Sequence, residues 1–81
     1  MLPVLKKGSN GPAVKDLQRS LNRSRDIRHD SKLAPLEPDG KFGSLTEARV
    51  QEYQKARALV PDGRVGPKTR GFLFEEAYDR V

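Results

Sequence analysis

The sequence contains one nine-residue pattern twice, with an offset of 23 residues. The first copy, Pro-Asp-Gly-Lys-Phe-Gly-Ser-Leu-Thr, occupies residues 38–46, and the second, Pro-Asp-Gly-Arg-Val-Gly-Pro-Lys-Thr, occupies residues 61–69. Both follow the rule Pro-Asp-Gly-basic-apolar-Gly-x-x-Thr. A repeat in so short a chain indicates that one supersecondary unit is used more than once, and this constrains the fold more than any single motif does.

Each position of the repeated pattern has a structural explanation. Proline fixes its φ angle, the aspartate side chain bonds to the backbone ahead, and glycine accepts a positive φ angle, so Pro-Asp-Gly predicts a turn. The next apolar residue can enter the core, and Pro67 suits the first position of a helix. The threonine then falls in the first helical turn, where its hydroxyl can satisfy a backbone group. The positions that define the motif are Asp39, Gly40, Gly43, Thr46, Asp62, Gly63, Gly66 and Thr69.

Three helices are predicted, each after a glycine-containing loop. The first begins at Pro12, because apolar residues follow it at the spacing i, i+3 and i+7 of one helix face. The second is predicted over about 44–58 and the third from about Pro67. A weaker repeat relates the first two helices, since Gln18 follows Val-x-x-Leu and Gln54 follows Val-x-x-Tyr. The residues expected to form one shared core are Val14, Leu17, Leu21, Leu36, Phe42, Val50, Tyr53, Leu59, Val65 and Leu73.

The length of 81 residues, 35% of them apolar, suffices for one small domain. We expect a single domain over 1–81 with its core at about 5–73. A polar, basic inserted loop is predicted at 22–38 and a C-terminal extension at 74–81. The chain has no cysteine, which excludes disulfides and thiolate metal sites.

The net charge of +5 favours polyanionic partners, namely nucleic acid, anionic lipid, or the carboxylates and phosphates of a cell wall. No stretch approaches the roughly 20 apolar residues of a membrane helix, so no membrane partner is expected. In residues 1–7 the charges follow a short apolar run instead of preceding a long one, so no signal peptide is expected in this chain.

Residues capable of catalysis are few. Asp39 and Asp62 could form an acid–base pair, but both lie in the same turn context, which favours a role in bonding the backbone. His29 has no second histidine or cysteine at a metal-ligand spacing, so neither a metal nor another cofactor is expected. The sequence therefore predicts a protein that is not an enzyme.

The candidate ligand-binding residues are mostly basic: Lys41, Arg49, Gln54, Arg57 and Arg64. Lys41 and Arg64 occupy the same position in the two repeats, and charge-assisted hydrogen bonds from such side chains suit carboxylates or phosphates. The alternative for the cations is a solvated surface, since long charged side chains mostly face water. For Gln18 and Gln54 the alternative is that their amides satisfy backbone groups of the loops.

Three segments together resemble the peptidoglycan-binding domain-like family: residues 8–21, residues 39–54 from Asp-Gly-Lys-Phe-Gly to Tyr-Gln, and residues 61–69. The resemblance implies a compact all-α three-helix bundle that binds murein without cleaving it. It also implies attachment to, or association with, a cell-wall hydrolase such as an amidase, lytic transglycosylase, carboxypeptidase or phage endolysin. The site of action would be the bacterial cell wall, and a monomer is expected. The stretch after Leu21 is longer and more basic than is usual in the family.

Two other functions are considered. A protein-interaction or pro-region module could use the same fold. A nucleic-acid-binding three-helix domain would suit the charge, but the predicted gap of about ten residues between the second and third helices exceeds the three or four of a helix-turn-helix. No predicted helix has the clustered Lys and Arg of a groove-reading helix.

Overall fold

A computed structural model describes residues 4–28 and 32–78 of the chain, and this part contains three helices. They are α1 (Pro12–Arg28), α2 (Ser44–Ala56) and α3 (Pro67–Tyr78). Both predicted proline starts are confirmed, since α1 begins at Pro12 and α3 begins at Pro67. Proline suits this position because the N–H that it lacks would have no partner within the helix. None of the helices described is long and apolar enough to cross a membrane. The all-α architecture predicted from the repeat is confirmed.

The predicted inserted loop is wrong in its first part, because α1 continues through 22–28. No glycine or proline interrupts the sequence between 13 and 28, so no residue there stops the helix. The remaining loop is fastened to α1 by Asn22. Its Nδ2 donates to the Leu36 carbonyl and its Oδ1 accepts from the Leu36 N–H, both at 2.8 Å. His29 lies outside the described residues.

The core contains nine of the ten predicted residues: Val14, Leu17, Leu21, Leu36, Phe42, Val50, Tyr53, Val65 and Leu73. Leu59 is only half-buried, so its assignment to the core is wrong. Leu5 is buried instead. It pairs with Val65 in an isolated antiparallel bridge, with N···O distances of 3.2 and 2.8 Å.

Helix α2 ends in a Schellman motif. The Leu59 N–H donates to the Gln54 carbonyl at 2.8 Å, and the Ala58 N–H donates to the Lys55 carbonyl at 3.1 Å. Ala58 takes the left-handed position of this motif with φ of 57°. The motif turns the chain directly from α2 into the second copy of the repeated loop.

Candidate functional site

The two copies of the repeated loop have the same turn. In each copy the aspartate Oδ1 accepts a hydrogen bond from the N–H two residues ahead, Lys41 for Asp39 and Arg64 for Asp62, both at 2.9 Å. The glycine after the aspartate has φ of 77° in the first copy and 75° in the second. The interpretation of Asp39 and Asp62 as turn residues is therefore confirmed.

A buried glutamine from the preceding helix holds the first loop. Gln18 Nε2 donates to Asp39 Oδ1, to the Lys41 carbonyl and to Thr46 Oγ1 at 3.1, 3.0 and 3.1 Å. Its Oε1 accepts from the Gly40 N–H at 2.9 Å. A carboxylate and a carbonyl can only accept, so this network fixes which end of the amide carries the nitrogen.

The second loop is held in the same way by Gln54. Its Nε2 donates to Asp62 Oδ1, to the Arg64 carbonyl and to Thr69 Oγ1 at 3.1, 2.9 and 3.2 Å. Its Oε1 accepts from the Gly63 N–H at 3.0 Å. Both glutamines are 1% exposed, and each bonds one backbone N–H and one backbone carbonyl of its loop. The interpretation that they satisfy backbone groups of the loops is therefore confirmed. Sequence reasoning placed the threonines correctly in the first helical turn, but the contact of each hydroxyl is with a glutamine amide.

The turn also sets the charge state of the two aspartates. The pKa of Asp39 is lowered, chiefly by the hydrogen bond from the Lys41 N–H and then by the bond from Gln18. The pKa of Asp62 is lowered chiefly by the Arg64 N–H, with a smaller contribution from Gln54. Both carboxyl groups are consequently ionised at neutral pH and have no proton to give as a general acid.

Each loop borders a surface cleft, and the two clefts correspond to each other. The first cleft, about 350 Å³, is lined by Gln18 and by residues within 35–46. The second cleft, about 380 Å³, is lined by Gln54, by Val4 and by residues within 58–69. Apart from the two glutamines and Val4, the lining positions are related by the offset of 23 residues that relates the two motifs. The duplication in the sequence thus becomes a duplication of a concave surface.

The predicted ligand-binding residues fall in four different places. Arg64 and Gln54 line the second cleft, and Lys41 lines the first. Arg57 lines neither cleft. Its guanidinium carbon lies 4.2 Å from the centre of the Tyr53 ring, so its side chain packs on that ring. Lys41 and Arg64 are both exposed, as the alternative interpretation of a solvated cation requires.

Arg49 does not face water, so its interpretation as a solvated cation is wrong. The residue is 3% exposed, and its guanidinium joins α2 to α1. Nη1 bonds Glu52 Oε1 at 2.7 Å and Nη2 donates to the Leu21 carbonyl at 2.9 Å. A carboxylate and a carbonyl accept hydrogen bonds from Nη1 and Nη2, and these bonds offset the cost of removing the charge from water.

Sequence reasoning missed Lys68, which lines the second cleft beside Arg64. Its equivalent in the first cleft is Leu45. Comparison of the two repeats position by position would have found this difference, because a lysine replaces a leucine at a position that neither copy buries. Among the described residues, no group of three or more His, Cys, Asp or Glu could hold a metal ion.

Comparison with known proteins identifies a family and a related enzyme. Residues 10–73 match the family described as "Putative peptidoglycan binding domain". Over 72 residues the chain is 38% identical to a zinc D-Ala-D-Ala carboxypeptidase of Streptomyces albus G, a match that covers 89% of this chain and 26% of the carboxypeptidase. The chain therefore spans about a quarter of the length of that relative.

Solved structures share the fold. A fused Zn-dependent amidase/peptidase with a peptidoglycan-binding domain, from Clostridium acetobutylicum, superposes with a TM-score of 0.76 at 32% identity, over 90% of this chain and 29% of that protein. The SleB N-terminal domain superposes with a TM-score of 0.75 at 27% identity, over 93% of both chains.

Proposed function

The chain belongs to the peptidoglycan-binding domain family, and from this premise we propose that it binds peptidoglycan without cleaving it and holds a cell-wall hydrolase at the bacterial wall. The two hydrolase relatives support the second part of the proposal. This chain covers only 26% of the carboxypeptidase and 29% of the amidase/peptidase, so most of each of those enzymes lies outside the match. We propose that the hydrolase is attached to this domain or associated with it.

The observation that carries the proposal is the pair of corresponding clefts. Hydrogen bonds to a buried glutamine hold the loop backbone of each cleft in place. Their rims carry exposed cations, Lys41 in the first cleft and Arg64 in the second. A preformed concave surface with a few convergent polar groups is typical of a binding site, and rigidity reduces the entropy lost when a ligand binds.

The charged contact to the wall polymer is assigned to Arg64, the exposed cation of the second cleft, and Lys41 is its counterpart in the first cleft. Stem peptides of murein carry carboxylates and wall polymers carry phosphates, and both accept charge-assisted hydrogen bonds. Gln54 would act by shaping the second cleft, because its amide groups already bond the loop. No contact to the ligand is assigned to Arg49, whose guanidinium is buried between two helices.

The absence of catalysis is proposed on chemical grounds. Asp39 and Asp62 are the carboxylates that line both clefts at equivalent positions, and each bonds a backbone N–H and a glutamine amide. Their lowered pKa values suit turn residues and not proton donors. We propose that the catalytic groups reside in the hydrolase and that this chain is a single binding domain over 1–81.

Cosedimentation with insoluble murein tests the proposal. The chain is mixed with sacculi from which teichoic acids have been removed, and the bound fraction is measured against murein concentration. Arg64→Ala should weaken retention about tenfold or more, the equivalent of roughly 1.5–3 kcal/mol for a hydrogen bond to a charged group. Arg19→Ala is the matched control, since Arg19 is an exposed arginine of α1 outside both clefts.

Retention that both variants weaken equally would contradict the assignment to the cleft. Loss of all retention when teichoic acids are removed would contradict recognition of murein itself. Failure to bind any sacculus, together with capture of a protein partner by the same chain, would favour the protein-interaction alternative.

A further inference from the structure

The two clefts correspond in position but differ in charge. Val60 of the second cleft replaces Glu37 of the first, and Lys68 replaces Leu45. All four of these residues are exposed, and Leu45 and Val60 are 79% and 75% exposed. Their side chains therefore contribute little to the core, and the differences act on whatever enters each cleft.

The differences reverse the net charge of the cleft. The ionised residues of the first cleft are Glu37, Asp39 and Lys41, two negative and one positive, for a net charge of −1. Those of the second are one aspartate, Arg64 and Lys68, one negative and two positive, for a net charge of +1. An anion that approaches the second cleft is attracted, and the same anion is repelled by the first.

Features common to both clefts do not change this contrast. Each lies at the beginning of a helix, so the favourable dipole of α2 or α3 acts on both. Each contains one aspartate whose Oδ1 bonds the same backbone and amide groups. The difference in charge between the clefts therefore comes from the two exchanges, Glu37 for Val60 and Leu45 for Lys68.

Resting on the proposed binding to murein, we infer that the second cleft is the anion site of this domain and that the first is a diverged copy that rejects the same group. The anionic group is a carboxylate or a phosphate held between Arg64 and Lys68. Val60 provides an exposed apolar surface beside it, which suits a ligand whose charged end is attached to an uncharged body. Among the described residues, neither Arg64 nor Lys68 forms an ion pair.

An exchange of residues between the clefts tests the inference. Val60→Glu/Lys68→Leu gives the second cleft the net charge of the first, and Glu37→Val/Leu45→Lys gives the first cleft the net charge of the second. The probe is a soluble disaccharide-peptide fragment of murein with free carboxylates, titrated by calorimetry into each variant. Because all four positions are exposed, circular dichroism should show unchanged helix content.

The parent chain should bind one equivalent of the fragment. The first double variant should lose affinity by about tenfold or more, and the second should bind two equivalents. Lys15→Glu and Asp26→Lys change the net charge by −2 and +2 on exposed positions of α1, and they should leave stoichiometry at one. A gain of a second site cannot result from partial unfolding.

Two further arms identify the source of the anion. If amidation of the fragment's carboxylates abolishes binding, the group is a peptide carboxylate. If an oligomer of wall teichoic acid competes for the cleft, itself binds the parent chain and loses affinity in Val60→Glu/Lys68→Leu, while amidation of the fragment has no effect, the group is a phosphate. Equal affinity for the amidated fragment with no competition by the oligomer would overturn the inference.

Binding of the parent chain that neither exchange alters would also overturn the inference, while the proposed function would stand. No binding of the parent chain to the fragment or to sacculi would instead refute the proposed function. The two failures are therefore distinguishable.

Discussion

Replacement of Gln54 by leucine should remove the support of the second loop while keeping the side chain about the same size. The wild-type amide is 1% exposed and bonds the Gly63 N–H and the Arg64 carbonyl at 3.0 and 2.9 Å. Leucine can neither donate nor accept a hydrogen bond, so both backbone groups lose their partner. The same substitution at Gln18 removes the equivalent bonds from the first loop.

The magnitude follows from the burial of the two orphaned groups. The Gly63 N–H is buried, and an unsatisfied buried donor costs roughly 1–3 kcal/mol. The Arg64 carbonyl is partly buried and retains some access to water, so its loss is near the lower end, about 1 kcal/mol. The expected destabilisation is about 3 kcal/mol, a large part of the roughly 4–12 kcal/mol expected for a domain of this length.

Thermal unfolding followed by circular dichroism measures the effect. In a domain of this size about 1 kcal/mol corresponds to 4–8 °C in Tm, so Gln54→Leu should lower Tm by roughly 12–24 °C. Gln51→Leu makes the same chemical change one turn earlier on α2, at a half-buried position, and should stay within about 0.5 kcal/mol of the parent.

A fall in Tm for Gln54→Leu no larger than that of Gln51→Leu would refute the reasoning. Gln18→Leu provides a second check, because the two glutamines make the same set of bonds. A difference of more than about 2 kcal/mol between Gln18→Leu and Gln54→Leu would show that the two loops are not energetically equivalent, given that single substitutions typically cost 0.5–3 kcal/mol.

Three further predictions concern the backbone and the carboxylates. Ala58→Gly should raise the free energy of unfolding by about 1 kcal/mol, because φ of 57° is strained for alanine and natural for glycine. Urea denaturation measures this change, and a loss of stability would contradict the explanation. Gly40→Ala and Gly63→Ala should each cost about 1–2 kcal/mol from the positive φ, with Gly40→Ala the worse in the same assay. A new Cβ at Gly40 would lie 3.1 Å from a backbone carbonyl oxygen, whereas at Gly63 it would lie 3.0 Å from a side-chain carbon that can move, and the reverse order of cost would contradict this explanation. Because folding lowers the pKa of Asp39 and Asp62, their stabilisation is present above the ordinary value of 3.8 and is lost as the pH falls through the lower values of the folded state. The free energy of unfolding, measured between about pH 2 and pH 7, should therefore fall only at the acid end of this range. In the Asp39→Asn/Asp62→Asn variant this fall should be smaller. An equal fall in the variant would contradict the stabilising role of the two carboxylates.

The helix starts and most of the core could be predicted because the sequence marks them locally. Pro12 and Pro67 begin helices, and the Pro-Asp-Gly turns adopt matching shapes in both copies. The end of α1 could not be predicted from such marks, since its polar residues after Leu21 resemble a loop in composition although nothing in them interrupts a helix. The burial of Leu5 could not be predicted, because Leu5 lies in an extended segment where no helical spacing marks the residues that face the core.

The site was predictable only in part, because it depends on contacts between distant segments. The equivalence of Lys41 and Arg64 could be predicted from the repeat, and both lie in corresponding clefts. The burial of Arg49 could not, since it depends on a carbonyl 28 residues earlier that only the packing of α2 against α1 brings into reach. Lys68 has a sequence signal, which is the divergence between the two repeats.

Binding at the second cleft is tested most directly by titration of the ¹⁵N-labelled chain with the soluble murein fragment, followed by amide chemical shifts. The largest shifts should fall on residues 60–69 around the second cleft, with much smaller shifts at the equivalent residues 37–46. Equal shifts at both clefts would contradict the assignment of binding to the cationic cleft. Shifts confined to the opposite surfaces of α1 and α3 would contradict the role of the repeated loops altogether.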